Sequence, residues 1–410
     1  MGIKLHSGRR KVFRKKKLLP RVLLGIVVSA AVIGLGFFGA KWVTEHPAPK
    51  PADISDQEPE APSADSGIGE TSEDVSRPAT ESTGDWRAFQ LPVSALKKTG
   101  SLAETCEKAA KAGFNAVVFT LKDQEGSLAY ASATEVAEKV NAVSASAISL
   151  EDLTEAFGVM RDAGLTPIPR LYAFRDNLAA RALETARIAP AGNPTWVWYD
   201  NDPKAGGKAW LNPYADEAQY YLIRLAAELK KAGAGAVMFS GVQFPAHCDS
   251  ADFGQSANTS MSRGEILSHF IEKAQKSLGS DCPVILTASC NGVLGNDTVT
   301  YGDNPLDLSA DRVAPLLTAA ELPEKIKLTE STITDVTADP AASMEAILNQ
   351  MMLRTKVISA AKRPLLMPML EAGDRSDQQI REAIAGCRKA GVTSYILCAA
   401  DGRYNFDSLG

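Results

Sequence analysis

Two kinds of apolar pattern alternate along the chain after residue 85. Eight short, nearly continuous apolar runs predict buried strands at 86–91, 114–121, 166–173, 235–242, 283–289, 312–317, 364–370 and 393–398. Between most of them, apolar residues recur at i, i+3 and i+4, which predicts amphipathic helices that end at an Ala-Gly or similar stop. Buried strands separated by helices are typical of a parallel sheet. Eight such units predict an α/β fold of the (β/α)8 TIM-barrel type, with a doubly wound open sheet as the alternative.

The longest apolar run lies near the N-terminus. Residues 22–40 contain no charged side chain, and a helix needs about 20 apolar residues to cross a bilayer. Nine basic residues and no acidic residue precede this run, which predicts a cytoplasmic N-terminus and an extracytoplasmic C-terminal part. A cleaved signal peptide is the alternative, although its apolar region is usually shorter. We therefore expect a basic cytoplasmic segment over 1–21 and an uncleaved transmembrane helix over 22–41, which makes the membrane one partner of this chain.

Residues 42–84 have the composition of a linker. They are rich in Pro, Ser, Glu and Asp and poor in large apolar residues, so they cannot bury enough surface to offset the entropy of ordering. Repulsion between the acidic side chains should keep this disordered linker extended. A single globular domain over 85–410 is expected to follow it.

The charge of the chain is divided unevenly. The first 41 residues hold ten basic residues and no acidic one, so the remainder, with 34 basic and 49 acidic residues, has a net charge of −15. An acidic domain argues against nucleic acid as a partner. The basic N-terminus is explained by membrane topology and contact with anionic lipid, with nucleic-acid binding as the weaker alternative.

Cysteine and histidine usage gives little support for a metal centre. No CxxC motif or Cys/His cluster occurs, and no glycine-rich phosphate loop follows a strand, so we expect no metal and no cofactor. Cys106 and Cys387 lie in the first and last predicted barrel helices, while Cys248 and Cys290 follow adjacent strands. Either pair is a candidate disulfide on the extracytoplasmic side, and buried free thiols are the alternative.

Three motifs follow the predicted strands in a fixed order. The second strand leads into a K-D-x-x-G-x-x-x-Y stretch, the third into an R-x-x-x-F-x-D stretch, and a W-x-N-P motif opens the next helix. Their members are Lys122, Asp123, Gly126 and Tyr130, then Arg170, Phe174 and Asp176, then Trp210, Asn212 and Pro213. In order and spacing, residues 86–406 resemble a bacterial envelope family of glycoside hydrolase domains with a barrel fold. The resemblance implies a polysaccharide or cell-wall glycan as partner and a site at the carboxyl ends of the strands.

The chain departs from the family pattern where acids are expected. Thr120, Ser240 and Ser289 take the places of acidic residues, Gln243 takes that of an arginine, and 365–369 lacks the pattern's Gln and Asp. Glycoside hydrolysis usually needs two carboxyl groups, about 5–5.5 Å apart for retention of configuration or about 6.5–9.5 Å apart for inversion. A serine bears no charge to stabilise an oxocarbenium-like centre, so these departures predict degenerate catalysis.

Two functions therefore stay open: an envelope glycoside hydrolase, and a non-catalytic relative that binds glycan or serves as an envelope scaffold. Glu371, directly after the seventh strand, is one candidate catalytic acid. Asp123 and Asp176 are the others, and their structural alternative is capping or ion pairing. The long loop after the third strand is rich in aromatic residues, which stack on sugars or pack the loop against the barrel. The candidate glycan-binding residues are Lys122, Arg170, Trp196, Trp198, Trp210, Asn212, Ser240 and Gln243.

Overall fold

The computed structural model describes residues 84–254 and 257–409. The predicted basic segment 1–21, the transmembrane helix 22–41 and the linker up to residue 83 lie outside the described residues. Among the residues that are described, no helix is long and apolar enough to cross a membrane.

Eight parallel strands form a closed barrel, as the apolar runs predict. They are β1 (Arg87–Gln90), β2 (Ala116–Lys122), β3 (Thr166–Tyr172), β4 (Val237–Ser240), β5 (Val284–Ser289), β6 (Arg312–Leu317), β7 (Leu365–Leu366 and Met369–Glu371) and β8 (Tyr395–Cys398). Each strand pairs with the next along the chain, and β1 pairs with both β2 and β8. Ala88 lies opposite Ala116 on one side and Ile396 on the other. This closure confirms the TIM barrel and excludes the open sheet.

At least one helix follows each strand, and eight of them are labelled here. They are α1 (Thr99–Lys111), α2 (Leu150–Asp162), α3 (Asp216–Ala232), α4 (Arg263–Leu278), α5 (Cys290–Val293), α6 (Pro340–Thr355), α7 (Asp377–Lys389) and α8 (Phe406–Leu409). Ser262 and Ser376 start α4 and α7 with capping boxes, in which each serine accepts from a backbone N–H and the residue three positions later bonds back. These polar signals fix where the helices begin.

The connections after the strands carry smaller elements. Short helices span Val93–Leu96, Glu135–Lys139 and Asn177–Ala182, and 3-10 turns span Glu184–Ala186, Pro203–Ala205, Ala257–Ser260, Pro305–Asp307 and Ala360–Lys362. Leu128–Tyr130 pairs with the end of β2 and with Val143–Ile148, which extends the sheet beyond the barrel. Two further pairs join Ala189–Pro190 to Ala251–Asp252 and Ile326–Lys327 to Thr332–Ile333.

Alternation along the strands builds two apolar layers. In β1 and β4, for example, Phe89 and Phe239 pack into the layer shared with the helices, whereas Ala88 and Met238 belong to a second cluster inside the barrel. The two faces of each strand are therefore both buried, which is why the strands read as continuous apolar runs.

The disulfide hypothesis is wrong in this structure, because all six cysteines are buried free thiols. Cys106 and Cys387 pack in the apolar layer between the strands and the helices. Cys248 packs instead with Ile188, Trp198 and Trp210 in a separate cluster, apart from Cys290. Proximity in barrel topology was not enough to bring either pair together.

Candidate functional site

A cavity of about 400 Å³ opens at the carboxyl ends of the strands. All eight strands or the loops that follow them contribute to its wall, which is the arrangement that barrel enzymes use for their sites. The lining residues are Gln90, Gln124, Arg170, Tyr172, Arg175, Trp210, Ser240, Gly241, Gln243, Thr287, Ser289, Tyr301, Leu316, Thr318, Ala320, Glu321, Met369, Glu371, Cys398 and Ala400. A larger cavity of about 740 Å³ lies away from this mouth, between α2, α3 and residues 133–136.

Two arginines form the cationic part of the wall. Arg170, near the end of β3, donates from Nε to the Thr120 hydroxyl at 2.9 Å and lies 5.7 Å from the centroid of the Tyr172 ring. Arg175, in the loop after β3, has a buried Nε that makes no hydrogen bond to any described residue. The sequence motifs identified Arg170 but not Arg175, which stands between two motif positions.

Hydroxyl groups of Ser240 and Ser289 occupy two of the positions where the family pattern has acids. The Thr287 hydroxyl donates to the Ser240 hydroxyl at 2.9 Å. Ser289 accepts from the backbone N–H of Gly292 at 3.0 Å and so caps α5. Both serines line the cavity, but their hydrogen bonds are to neighbouring protein groups, and neither faces a histidine base in the lining. This part of the wall can bind hydroxyl groups but carries no negative charge.

A tyrosine supports the amide on this side of the cavity. The buried Tyr301 hydroxyl donates to Oε1 of Gln243 at 3.1 Å and accepts from the backbone N–H of Ser289 at 3.0 Å. Burial raises the pKa of Tyr301, so its hydroxyl stays protonated and remains a donor at neutral pH. Gln243 is thereby held with its amide nitrogen available to a ligand.

Two carboxyl groups also line the cavity. Glu371, at the end of β7, accepts from the backbone N–H groups of Ala319 at 3.2 Å and Gly373 at 3.1 Å. These two bonds hold the Glu371 carboxylate in one orientation. Glu321, in the loop after β6, was missed by sequence reasoning because no motif marks it. The structure therefore brings a second acid to the cavity that holds the predicted one.

Cys398, at the end of β8, is a buried thiol in the cavity lining. Burial raises the pKa of Cys398 to about 12, nearby Arg170 opposes the rise, and nearby Glu371 adds to it. Arg170 and Glu371 thus both act on this thiol, yet no ion pair joins the two side chains. A thiol of this pKa is not a nucleophile at neutral pH.

The loop aromatics divide between the cavity and packing. Trp210 is 5% exposed, lines the cavity and donates from Nε1 to Asp200 at 2.9 Å. Trp198 is buried beside it and donates to Ser250 at 3.1 Å. Trp196 is 65% exposed and lies outside the cavity lining. Only Trp210 of the three predicted tryptophans is placed to stack on a ligand in the mouth.

Two of the predicted site residues form a buried structural pair instead. The Lys122 ammonium lies 2.8 Å from Oδ2 of Asp176, and both side chains are fully buried. Lys122 also donates to the Tyr172 carbonyl at 2.6 Å, and Asp176 accepts from the backbone N–H of Ala179 as a helix N-cap. The register of β2 against β3 shifts between Thr120 and Lys122, a bulge of the kind that re-aims a side chain.

Asp123 and Asn212 also form hydrogen bonds with backbone groups. Asp123 is exposed, and its Oδ1 accepts from the N–H groups of Glu125 and Ser127, both at 2.9 Å. Asn212 donates to the Phe253 carbonyl at 2.9 Å and accepts from the Tyr214 N–H at 3.0 Å. Neither belongs to the cavity lining. The contacts of Asp123 and Asp176 thus agree with the alternative that these residues serve in capping or ion pairing.

Within the described part of the chain, no group of three or more His, Cys, Asp or Glu side chains is arranged to hold a metal ion. The side chains that line the mouth include two guanidinium groups, two carboxyl groups, one indole, and several hydroxyl and amide groups.

Most of the barrel matches the model of a known protein family. A family model described as "Putative glycosyl hydrolase domain" matches residues 88–404, from β1 to the segment before α8. No curated protein matches the sequence.

Solved structures with similar coordinates have low sequence identity. The glycoside hydrolase domain of PelA from Pseudomonas aeruginosa is 13% identical, with 78% of this chain and 98% of that chain covered and a TM-score of 0.40. A hypothetical protein from Ruminiclostridium thermocellum is 19% identical, with 48% and 96% covered and a TM-score of 0.40. A GH20 beta-N-acetylhexosaminidase from Streptomyces coelicolor is 12% identical, with 79% and 61% covered and a TM-score of 0.43. At such values these proteins do not indicate a substrate for this chain.

Proposed function

Since the chain belongs to the family described as "Putative glycosyl hydrolase domain", as its motifs suggest, we propose that the mouth of its barrel binds a glycan. The observation that supports this proposal is the composition of the cavity wall. Around a space of about 400 Å³, Trp210 offers an aromatic face, and Gln90, Gln124 and Gln243 offer amides. A few placed polar groups beside an aromatic ring are what a sugar needs, because its hydroxyls take hydrogen bonds while its C–H faces pack on the ring.

Binding is favoured over hydrolysis because of Ser240 and Ser289. They stand at the ends of β4 and β5, where the family pattern has acids, and both engage neighbouring protein groups. Replacing an acid by a serine removes a charge that the transition state of hydrolysis needs, whereas it leaves hydrogen bonding to a bound sugar intact.

Hydrolysis is the second candidate, and one observation favours it. Glu371 and Glu321 both line the cavity, so two carboxyl groups are available. Glu371, oriented by two backbone N–H groups, fits a nucleophile or a base. Glu321 would then act as the acid.

Affinity electrophoresis tests the binding proposal. The full-length chain, kept in detergent, is run through gels that contain a panel of bacterial and plant glycans, and at least one of them should retard it. Trp210→Phe and Gln124→Ala should weaken the retardation. Tyr220→Ala, which removes a 56% exposed aromatic on the outer face of α3, should not. If no glycan of the panel retards the native chain, the proposal fails.

A reducing-end assay on the same panel separates the two candidates. Release of reducing ends that is lost in Glu371→Gln and kept in Asp123→Asn identifies a hydrolase. Asparagine at 123 retains an acceptor oxygen for the turn, so it serves as a matched amide control. Retardation without product identifies a binding protein.

We also propose that residues 22–41 anchor the chain as a single-pass helix, with 1–21 in the cytoplasm and 42–84 as a spacer to an extracytoplasmic barrel. The charge-free run 22–40 and the nine basic residues before it support this proposal. In bacterial spheroplasts, external protease should digest the barrel domain and leave residues 1–41 protected. Recovery of the intact chain without detergent would contradict the anchor.

A further inference from the structure

We propose that the mouth of the barrel selects glycans that carry an oxyanion on the sugar, through Arg170 and Arg175. This inference rests on the proposed glycan binding and specifies its substrate class. The cationic side chains near the mouth differ in whether they form ion pairs. Lys122 is paired with Asp176, and Lys208 with Glu125, in each case with 2.8 Å between nitrogen and oxygen. The two guanidinium groups in the cavity wall differ from these lysines, because neither forms an ion pair with a residue that the structure describes.

Neither arginine of the cavity has an anionic partner among residues 84–254 and 257–409. Arg170 uses only its Nε, toward the Thr120 hydroxyl, so its terminal nitrogens remain available. Arg175 donates no side-chain hydrogen bond to any residue that the structure describes, although its Nε is buried. A buried donor without an acceptor is costly, and most such donors in proteins are matched by a partner, a water or a ligand.

The shape of the guanidinium group indicates the kind of acceptor. Its planar fork presents two parallel N–H donors, which fit the two oxygens of a carboxylate or of a sulfate or phosphate ester. A neutral hydroxyl meets only one of these donors. The sugar substituent that satisfies the wall most fully is therefore an oxyanion.

The position of the arginines also fixes which end of a ligand they would contact. They belong to β3 and the loop after it, and Arg175 packs against Gly241 at the end of β4. In a ring of eight strands, β7 lies opposite β3, so Glu371 stands across the cavity. An anionic group near Glu371 would be repelled, which leaves the β3 side as its place.

The overall charge of the chain cannot supply this selection. Beyond residue 41 the net charge is −15, which repels a polyanion at long range. At physiological ionic strength such forces fall off within about 8 Å. Preference for an anionic sugar must then come from direct contacts in the mouth.

Matched pairs of polymers test the inference. The full-length chain in detergent, at 0.15 M NaCl, is titrated with polygalacturonate and its methyl ester, and with dextran sulfate and dextran. The first pair tests a carboxylate and the second a sulfate ester. We expect an acidic polymer to bind about tenfold or more tightly than its neutral partner.

Variants show whether the arginines cause the preference. Arg175→Gln should bring the ratio of the acidic-polymer affinity to the neutral-polymer affinity down to about one. Arg175→Lys keeps the charge but not the fork and should lose part of the preference. Arg181→Gln removes an exposed charge outside the cavity wall and should keep the whole preference. Thermal unfolding of each variant checks that it is folded.

Three results would overturn the inference but leave the proposed function standing. Equal affinity for acidic and neutral polymers leaves glycan binding standing but removes the selection. An equal loss of both affinities in Arg175→Gln means that the arginine only balances the glutamates of the cavity. An equal effect of Arg181→Gln means that the preference is a general charge effect. Binding to no polymer of either kind, or of the wider panel, would count against the proposed function as well.

Discussion

Lys122 and Asp176 form an ion pair of 2.8 Å in which neither side chain is exposed to solvent. The pair joins the end of β2 to the helix that begins after β3, and Lys122 also lies 5.8 Å from the centroid of the Tyr221 ring on α3. Both residues belong to the motifs that resemble the glycoside hydrolase family. In this chain their contacts join two segments that flank the mouth.

Removal of the lysine should therefore cost stability. Lys122→Met leaves the Asp176 carboxylate buried without its counter-ion, which typically costs about 3–5 kcal/mol. The measurement is the free energy of unfolding in urea. Lys208→Met is the matched control, because the Lys208–Glu125 pair has the same distance but is about one-third exposed on each side, and such pairs contribute about 0–1 kcal/mol. Similar losses in both variants would show that burial of the first pair adds nothing.

Gly126 of the same motif should be equally intolerant of change. Its φ of +96° is unfavourable for other residues, and an added Cβ would overlap Oδ1 of Asp176. Gly164 has a φ of +79° with open space around the position of a Cβ. Gly164→Ala should thus cost only the backbone term, about 1–2 kcal/mol, and Gly126→Ala clearly more. The comparison uses urea unfolding of both variants, and equal costs would mean that the Asp176 carboxylate moves aside freely.

The fold was predictable because it depends on local patterns. Strands buried on both faces read as unbroken apolar runs, and the run at 312–317 coincides with β6. Helix starts such as Ser262 and Ser376 are equally visible, since a serine with a glutamate or glutamine three residues later is a local signal. Residues before 84 are not described, so the predictions for the anchor and the linker remain predictions.

The site was less predictable because it depends on contacts between distant segments. The motifs located the loops of the mouth but not which side chains face the cavity. Lys122 and Asp176 turn toward each other, whereas Arg175 and Glu321, which no motif singles out, line the cavity. The register of β2 against β3 shifts just before Lys122, and Glu321 lies in a loop after β6. No motif in the sequence marks either feature.

The cysteines give a prediction about reactivity. Burial raises the pKa of Cys106 to about 11 and that of Cys282, Cys290 and Cys387 to about 12. At pH 8 these thiols are almost wholly protonated, so a thiol reagent that needs the thiolate should not modify them in the folded chain. All six should react after unfolding without reductant, and fewer would indicate a disulfide.

The same shifts predict the direction of the pH dependence of stability. Because the folded-state pKa lies above the ordinary value of 9.0, the unfolded chain loses its thiol protons first as the pH rises. The contribution of these thiols is complete below pH 9 and declines as the pH rises from about 9 toward 11–12. Urea unfolding between pH 8 and 11 should show a falling free energy, and replacement of Cys106 by Ala should flatten part of that fall.

Substitution of the two glutamates of the cavity should affect the free energy of unfolding differently but affect any hydrolytic activity in the same way. Glu371 joins β7 to the loop after β6 through its bonds to the N–H groups of Gly373 and Ala319. Glutamine keeps only one acceptor oxygen, so Glu371→Gln should cost about 0.5–1.5 kcal/mol. Glu321 is exposed, and Glu321→Gln should leave the free energy of unfolding unchanged.

This difference makes Glu321 the cleaner probe of catalysis. Suppose that the native chain releases reducing ends from a glycan. A loss of that release in Glu321→Gln, with unchanged stability and unchanged retardation by the same glycan, would assign Glu321 to the reaction. Loss in Glu371→Gln alone would point to a single acting acid, whereas full release in both variants would exclude the pair.

If the native chain releases nothing, Ser240→Asp offers the reverse test. It places an acid where the family pattern has one. Product from that variant alone would show that Ser240 is the reason why the native chain releases no reducing ends.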